Sequence, residues 1–483
     1  MRDESSDGSS ESDIGESELL GPPEAYGFDA LTGVWITEDT RPEDLDPYAD
    51  PPSRYYDLDE PDDDTVDEFN RSLAEEIADL AEAQNAEQPA TPDVTGPPAA
   101  EALRGTGPIM IISRPHKHYS TVPALLRGLA RSQGKAVTFA AAGTLLQLVP
   151  RAGNAYLSQF GAAALRVADP VAHAVFDAVP GRKPVSDQFK RWPFQKRQDP
   201  TVDEAAWLDD VVAAQRDAGA NVLLSPGRFL PGVAPDAELD AAFRHLDAVR
   251  NRAEDEPSFL NLVLATGWLM YPDRVDDVAE RVIESRPDAL WLTTLWPTTA
   301  TASQPVEQQL LAGYRDLCQA LADEQIPVLL PTTDLTGWWC LAHGAAGFGT
   351  GLSAAARGFT PNMRGGGITA PPKPRIFTPE LLHTILRTEH EALTAGGLVA
   401  QCDCPYCEAS RNTHDWDAHT QGAHHLYRLA ELTADVANAS DRRTHITELI
   451  SDALITAASA VSQVAMETAS KPGHLGVWHQ LLA

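Results

Sequence analysis

The clearest repeating unit of the sequence is ALWLTTLWPTTATASQPVEQQLLAGYRDLCQALADEQIPVLLP, residues 289–331. It begins and ends with short apolar runs, ALWLTT (289–294) and PVLLP (327–331), which predict strands. Between them, apolar residues recur at three- and four-residue spacing, as on one face of an amphipathic helix. Strand, helix and strand in this order predict a βαβ unit with parallel strands.

The same alternation extends in both directions along the chain. Eight apolar runs with helical patterns between many of them predict an α/β fold, a (β/α)8 barrel of the TIM type. The third and eighth runs are the shortest, and a doubly wound parallel sheet is the alternative. The runs are PIMII (108–112), AVTFA (136–140), LRVA (165–168), NVLLS (221–225), FLNLVLA (259–265), ALWLTT, PVLLP and AGFG (346–349).

Three regions follow from these patterns. Residues 1–104 are rich in Asp, Glu, Ser and Pro and predict a disordered acidic tail and linker, with at most one short helix. Residues 105–375 hold the barrel. Residues 376–483 predict a helical, zinc-binding C-terminal unit, with no strand after residue 376 and two final helices.

The composition indicates adaptation to salt and a cytoplasmic location, and it says little about binding partners. The net charge is -33, and lysine is scarce. This acidity resembles that of halophilic cytoplasmic proteins, whose self-repulsion is screened by concentrated salt. The first residues, MRDESSDGSSESD, lack the basic region of a signal peptide, and the longest apolar run is too short to span a bilayer. We therefore expect a halophilic, cytoplasmic protein that is not inserted in a membrane.

A cluster of metal-ligand residues follows the barrel, in CDCPYCEASRNTHDWDAHTQGAHHLY, residues 402–427. Cys402, Cys404 and Cys407 offer three thiolates from one tight loop, and a tetrahedral zinc ion needs one more ligand. Since no coordination position is obviously left open, we predict a structural Zn²⁺ site. The candidates for the fourth ligand are His414, His419, His424 and His425.

This arrangement resembles the zinc unit of the tRNA-guanine transglycosylase superfamily, including its DNA-modifying relatives. AHHLY (423–427) is similar to the family's HNLY segment, and the resemblance favours His424 as the fourth ligand. It implies a pentosyltransferase that exchanges guanine for a 7-deazaguanine in tRNA or DNA. LVLATG (262–267) is similar in place to the family's substrate loop, which implies substrate contacts at Thr266 and Gly267.

The sequence departs from the family at the acids that carry the chemistry. Gly349 stands where the resemblance places the nucleophilic aspartate, and a glycine cannot attack a glycosidic carbon. Ala141 and Ser225 stand where we place the second and third acids. These replacements predict that the family's carboxylate chemistry is absent from its usual positions.

Other polar residues follow predicted strands, where the active sites of such barrels lie. Asp334 and Asp169 are the candidates for a relocated catalytic acid, and His116 and Arg228 for substrate binding. The alternative role of Asp334 is that of a helix N-cap. For His116 the alternative is a solvated loop.

One basic segment interrupts the acidic background, GRKPVSDQFKRWPFQKRQ (181–198). Basic residues neutralise phosphates and aromatic residues stack on unpaired bases, so the segment predicts nucleic-acid contact. A solvated loop is the alternative. The residues expected to bind are Lys190, Arg191, Trp192, Lys196 and Arg197.

Three functions remain open from the sequence. The first is a transglycosylase-like enzyme acting on tRNA or DNA. The second is a catalytically inactive, zinc-containing paralogue that binds nucleic acid. The third is an unrelated zinc-stabilised barrel that binds a small metabolite. The partner predictions are nucleic acid and either a second copy of the chain or an active paralogue.

Overall fold

A computed structural model of the chain describes residues 27–29, 34–36, 95–113, 121–145, 156–177, 179–180, 203–297, 304–353, 356–361, 373–413 and 416–482. The predictions on His116 and on the basic segment lie outside these residues. The chain divides into two units, residues 1–79 and 80–483. In the first unit, strand Gly27–Asp29 pairs antiparallel with strand Val34–Ile36, which the acidic composition did not predict.

All eight predicted runs contribute strands to one parallel sheet in the second unit. Each run forms one strand, and the fourth barrel strand continues beyond its run in a further short segment, β5. The strands are β1 Ile109–Ser113, β2 Thr138–Thr144, β3 Leu165–Asp169, β4 Leu223–Leu224, β5 Phe229–Leu230, β6 Ser258–Leu264, β7 Ala289–Thr294, β8 Val328–Leu330 and β9 Gly347–Gly351.

The strand order makes the sheet a nearly closed barrel. Strands that are neighbours in sequence are neighbours in space, apart from a gap in the ladder between β3 and β4. The last strand returns to the first, because β9 pairs with β1 from Gly347↔Ile109 to Gly351↔Ser113. A doubly wound sheet has two free edges instead. The prediction of a TIM-like barrel is therefore confirmed, including its third and eighth strands.

Irregular hydrogen bonds bridge the gap between β3 and β4. The side chain of Asn221 accepts from the Arg166 amide at 2.6 Å and donates to the Ala164 carbonyl at 2.8 Å. Beyond the end of β3, the amide of His173 donates to the carbonyl of Gly227 at 3.1 Å. One asparagine side chain thus replaces part of a strand ladder.

A β-bulge interrupts the fourth strand. β4 pairs Leu224 with Phe259, and β5 pairs Phe229 with Val263, so residues 225–228 face only residues 260–262. The extra residue bends the strand, as β-bulges do. Gly227 within the bulge has φ +70, and a Cβ there would lie 2.4 Å from Nδ2 of Asn261. The bulge therefore needs glycine for its backbone conformation and for the close approach of Asn261.

Along each strand, successive side chains point alternately into the barrel and outwards to the helices. The interior is an apolar layer that includes Ile111, Ala140 and Trp291, and helix α1, Ala99–Arg104, packs Ala99 and Ala102 against it. α1 lies in the segment that we assigned to the tail and linker.

The helices surround the barrel and build most of the C-terminal unit. Among the described residues, no helix is long and apolar enough to cross a membrane. After α1, the α-helices are α2 Thr121–Gln133, α3 Ala172–Phe176, α4 Glu204–Asp217, α5 Pro235–Arg250, α6 Gly267–Met270, α7 Pro272–Ser285, α8 Gln308–Asp323, α9 Asp334–Cys340, α10 Arg387–Ala395, α11 Pro405–Thr413, α12 Ala418–Asn438, α13 Arg442–Gln463 and α14 His474–Leu482. Short 3₁₀ turns span Tyr156–Gln159, Leu341–His343, Pro379–Leu381 and Thr468–Ser470.

The prediction that no strand follows residue 376 is wrong. Strand β10, Arg375–Thr378, pairs antiparallel with strand β11, His383–Leu386. A 3₁₀ turn and Leu382, whose φ is 45, join the two strands. The apolar residues of this segment fit both a helical and an alternating pattern, and β11 buries every second residue. The C-terminal unit is therefore a hairpin with helices, and it ends in three α-helices rather than two.

Candidate metal centre and strand-end clusters

Four side chains able to bind a metal converge in the C-terminal unit. Cys402 and Cys404 precede α11, Cys407 lies in its first turn, and His424 comes from α12. Their ligand atoms all lie within 4.8 Å of one another. Among the described residues, His424 is the histidine that joins the three cysteines, as the resemblance implied, whereas the candidate His414 lies outside those residues.

The dimensions of this cluster fit a tetrahedral metal ion. Nδ1 of His424 lies 3.5 Å from the sulfur of Cys402, 3.3 Å from that of Cys404 and 3.4 Å from that of Cys407. A tetrahedral ion with the bond lengths of zinc places nitrogen and sulfur about 3.5 Å apart. All four residues are buried. The cluster can therefore hold a metal ion with four protein ligands.

A backbone carbonyl fixes the orientation of the His424 ring. Nε2 of His424 donates to the carbonyl oxygen of Phe377 at 2.8 Å, which leaves Nδ1 facing the sulfurs. Such a second contact sets the tautomer of a ligating histidine. Burial lowers the pKa of His424, but hydrogen bonds with Cys402 and Cys404 raise it to about 9. The acceptor Phe377 belongs to the hairpin that the sequence pattern missed.

The next residue, His425, points to the barrel rather than to the sulfurs. Its Nε2 lies 2.8 Å from Oδ1 of Asp334, which is the first residue of α9. The hydroxyl of Thr350 donates to the same carboxylate at 2.5 Å, and Nε2 of Gln304 lies 3.4 Å from its other oxygen. Asp334 and His425 are both buried, with exposures of 3% and 1%.

The surroundings keep Asp334 ionised and His425 neutral. Burial alone would raise the pKa of Asp334, but His425, the buried Arg357 guanidinium and the Thr350 hydroxyl lower it to about 2. Burial and the charge of Arg357 lower the pKa of His425 to about 4. A neutral His425 with its proton on Nε2 is a donor to Asp334.

Asp334 is not a helix cap. It has φ +49, inside the left-handed region, and Thr333 precedes it at the cap position. Its carboxylate bonds to side chains from β9 and α12 and from the residues before α8, rather than to the amides of its own helix. The cap interpretation is therefore wrong, and the carboxylate joins the barrel to the C-terminal unit.

Asp169 lies at the end of β3. One oxygen accepts from the amide of Val171 at 2.9 Å and from Nδ2 of Asn261 at 3.1 Å, and Nε1 of Trp291 lies 3.4 Å from the other. Asp169 keeps a partly exposed surface, whereas Asn261 is buried. Burial raises the pKa of Asp169 above its ordinary value, against these hydrogen bonds. Asp169 is the candidate acid whose site is the more accessible.

The structure shows the surroundings of the three positions at which the resemblance implied an acid. A Cβ at Gly349 would lie 1.9 Å from the carbonyl oxygen of Pro331, so β9 has no room for any side chain there. Ala141 lies within β2 and packs with Met110 and Ile112 in the outer layer, not at the strand's end. Ser225 is buried, and its hydroxyl oxygen accepts a hydrogen bond from the backbone amide of Asn261 at 2.9 Å.

The predicted substrate-binding residues are engaged within the protein. Nε of Arg228 lies 2.8 Å and 2.9 Å from the two carboxylate oxygens of Asp177. The hydroxyl of Thr266 donates to the carbonyl of Leu295, and Gly267 begins α6. These contacts orient the three residues, and the structure does not bring them into one site with Asp334.

Sequence reasoning missed several residues of these clusters. Asn261 had a visible signal, since it is the one polar residue of the run FLNLVLA. Arg428, which contacts Cys402, lies four residues after His424 and so on the same face of α12. The pairing of His425 with Asp334 had no local signal, because it joins residues far apart in the chain.

Comparison with known proteins adds no family to this geometry. The chain matches no family model and none of the curated proteins. The resemblance to transglycosylases thus depends on the quoted motifs and on their order along the barrel.

Proposed function

We propose that this protein is a tRNA-guanine transglycosylase-like zinc barrel that binds nucleic acid and has lost the family's base exchange. The observation that carries the proposal is the environment of Gly349. With the Pro331 carbonyl 1.9 Å from a Cβ at this position, β9 accommodates no nucleophilic side chain. A direct replacement by aspartate would distort the barrel rather than restore an attacking group.

The engagement of Asp334 supports the same proposal. A relocated nucleophile must reach the substrate, whereas this carboxylate is 3% exposed and hydrogen-bonded to side chains of the protein. Its low pKa is that of a structural anion that stays charged in a buried network. We therefore assign Asp334 to the junction between the barrel and α12.

We propose that the metal is Zn²⁺ and that its role is structural. Thiolate and imidazole are the ligands of structural zinc, and four protein ligands leave no position for water or substrate. The nitrogen–sulfur distances of 3.3 to 3.5 Å support this donor set. The ion would hold α11 and α12 together.

The nucleic-acid part of the proposal depends on the basic segment 181–198. Its lysines and arginines would bind phosphates, and Trp192 would stack on an unpaired base. Such binding weakens as salt rises, because phosphate contacts release counterions. A second copy of the chain or an active paralogue would supply the missing carboxylates in a shared assembly.

A second candidate is base exchange that uses Asp169. In its favour, Asp169 is the last residue of a barrel strand, keeps a partly exposed surface and has a raised pKa. A carboxyl group with these properties can act as a nucleophile or as a general acid. Asn261 and Trp291 would orient it.

The test is guanine exchange and binding, measured on the same preparation. Purified protein is incubated with radiolabelled guanine and either tRNA or duplex DNA, and binding is titrated at low and high salt. We expect no incorporation, and salt-sensitive binding that is lost when Lys190, Arg191, Lys196 and Arg197 become Gln. Incorporation that survives Asp334→Asn but not Asp169→Asn would establish the second candidate. Absence of binding to both nucleic acids would overturn the proposal.

One observation favours a metabolite-binding function as a third candidate. A cavity of about 530 Å³ lies between α4, α5 and the bulge, with Arg228, His245, Glu204 and Asn261 in its wall. Its volume is in the range of small-molecule sites. A tight metabolite complex without any nucleic-acid binding would favour this function.

A further inference from the structure

Arg428 forms a fork on one sulfur of the metal centre. Its Nε and Nη2 atoms lie 3.2 Å and 3.1 Å from Sγ of Cys402. The side chain is 16% exposed and lies one helical turn after His424 on α12. Two N–H groups of one planar guanidinium therefore donate to a single thiolate.

The charge of the centre explains why such a fork matters. Three thiolates and one neutral imidazole around a divalent ion leave one unit of negative charge in a buried site. A buried charge is costly unless it is paired and hydrogen-bonded. Among the residues that the structure describes, Arg428 is the only lysine or arginine with a hydrogen bond to one of these sulfurs.

Two carboxylates hold the guanidinium in place. Nη1 of Arg428 donates to Glu431 at 2.6 Å, and Nη2 also donates to Asp403 at 2.5 Å. The chain offers a matched control in Arg411, which donates to the carbonyl oxygen of Cys402 at 2.7 Å instead of to its sulfur. Both arginines contact the same cysteine, but only Arg428 contacts a metal ligand atom.

We propose that Arg428 is a positioning residue of the metal centre, which balances the charge of the thiolates and slows the loss of the ion. Hydrogen bonds to a thiolate withdraw electron density from sulfur and make it a poorer site for protonation or attack. The proposal rests on the binding of zinc, and it is independent of base exchange and of nucleic-acid binding.

The first measurement is the rate of zinc release from the full chain to the chelator 4-(2-pyridylazo)resorcinol. The loss of such an outer contact typically weakens metal affinity by about 10- to 100-fold. If the weaker affinity comes from faster dissociation, as we expect, Arg428→Met releases zinc faster by about the same factor. Arg428→Lys keeps the charge but loses the fork, so its rate should be intermediate. Arg411→Met should release zinc at the wild-type rate.

The second measurement is the absorption spectrum of the cobalt-loaded protein, which a purely structural role would not change. Without the fork, electron density returns to Cys402, and the sulfur-to-cobalt charge-transfer band should move to longer wavelength in Arg428→Met. Arg411→Met should keep the wild-type band. Circular dichroism of the loaded variants shows that each has folded.

The outcomes separate this proposal from the zinc assignment. Zinc-loaded wild-type protein whose Arg428→Met variant shows wild-type release and an unchanged cobalt band would overturn the role of Arg428 alone. Wild-type protein that retains no zinc would overturn the metal assignment, and the role of Arg428 with it. If Arg428→Met does not fold, Arg428→Lys carries the test through the same two readouts.

Discussion

His425 and Asp334 join two parts of the chain that lie 91 residues apart, with Nε2 and Oδ1 separated by 2.8 Å. Asp334 starts α9 after β8, whereas His425 lies on α12, the helix that also carries the candidate metal ligand His424. The pair is almost inaccessible to solvent. Its removal should therefore affect stability before it affects any chemistry.

We predict that His425→Ala destabilises the protein by about 1–3 kcal/mol, because it removes a hydrogen-bond donor from a buried carboxylate. Asp334→Asn should cost less, and the double variant should cost less than the sum of the two. Guanidinium unfolding of the four proteins measures this coupling. Additive costs would mean that the two side chains do not stabilise each other.

Metal content should distinguish the two neighbouring histidines. We predict that His424→Ala loses the ion, since Nδ1 of His424 faces all three sulfurs, and that His425→Ala retains about one zinc per chain. Elemental analysis of the purified variants gives the ratio. The assignment fails if His424→Ala keeps full zinc or if only His425→Ala loses it.

Gly349→Ala tests the steric basis of the proposed function. A Cβ here would overlap the Pro331 carbonyl, so we predict a loss of at least about 1–3 kcal/mol. Gly161 is the control, because a Cβ there meets nothing within 4 Å. Unfolding free energies of both variants provide the comparison. If Gly349→Ala is as stable as Gly161→Ala, β9 can accept a side chain and the argument against a nucleophile at this position is lost.

Acid should destabilise the protein through buried neutral histidines. Burial, followed by nearby Arg443 and Arg315, lowers the pKa of His343 to about 3. Burial lowers that of His383 to about 4, despite its bond to the Ala469 carbonyl. In the unfolded chain a histidine has a pKa of about 6.5. Below that pH the unfolded chain binds more protons than the folded one, so stability falls as the pH drops from about 6.5 towards 4 and is independent of these groups above 6.5.

The measurement is the unfolding free energy of the wild type and of His383→Gln between about pH 8 and pH 4.5. The difference between the two proteins should shrink by up to about 1.4 kcal/mol for each pH unit below 6.5. Asp334 affects the unfolding free energy in a lower pH range. Because its pKa is lowered in the folded protein, the stability it contributes is lost only below about pH 4. A difference that stays constant with pH would show that His383 is protonated in the folded protein as readily as in the unfolded one.

Local patterns were enough to predict the barrel but not its irregular parts. Each strand of a parallel barrel is covered on both faces, so an apolar run such as ALWLTT predicts it directly. The bulge depends on the register between two strands, which no single segment contains. The hairpin was missed because PELLHTIL has apolar residues at spacings that suit both a helix and a strand.

The candidate site likewise has a part that local sequence predicts and a part that depends on distant residues. The cysteines and His424 lie within one short segment, and their ligand chemistry is specific enough to predict the cluster. Asp334 and Asp169 were predicted as residues, but their environments depend on partners from distant elements, such as His425 and Asn261. Exposure, which decides whether an acid can meet a substrate, is a property of the assembled barrel.

Two consecutive side chains on a helix point about 100° apart, so neighbouring residues of α12 contact both the metal cluster and the barrel. His424 faces the metal site, and His425 faces the barrel. The same helix packs so closely on the barrel that a Cβ at Gly422 would lie 2.4 Å from the Leu352 carbonyl. A bound ion would therefore stabilise the whole second unit. Metal release and unfolding of the barrel should then occur in one cooperative transition.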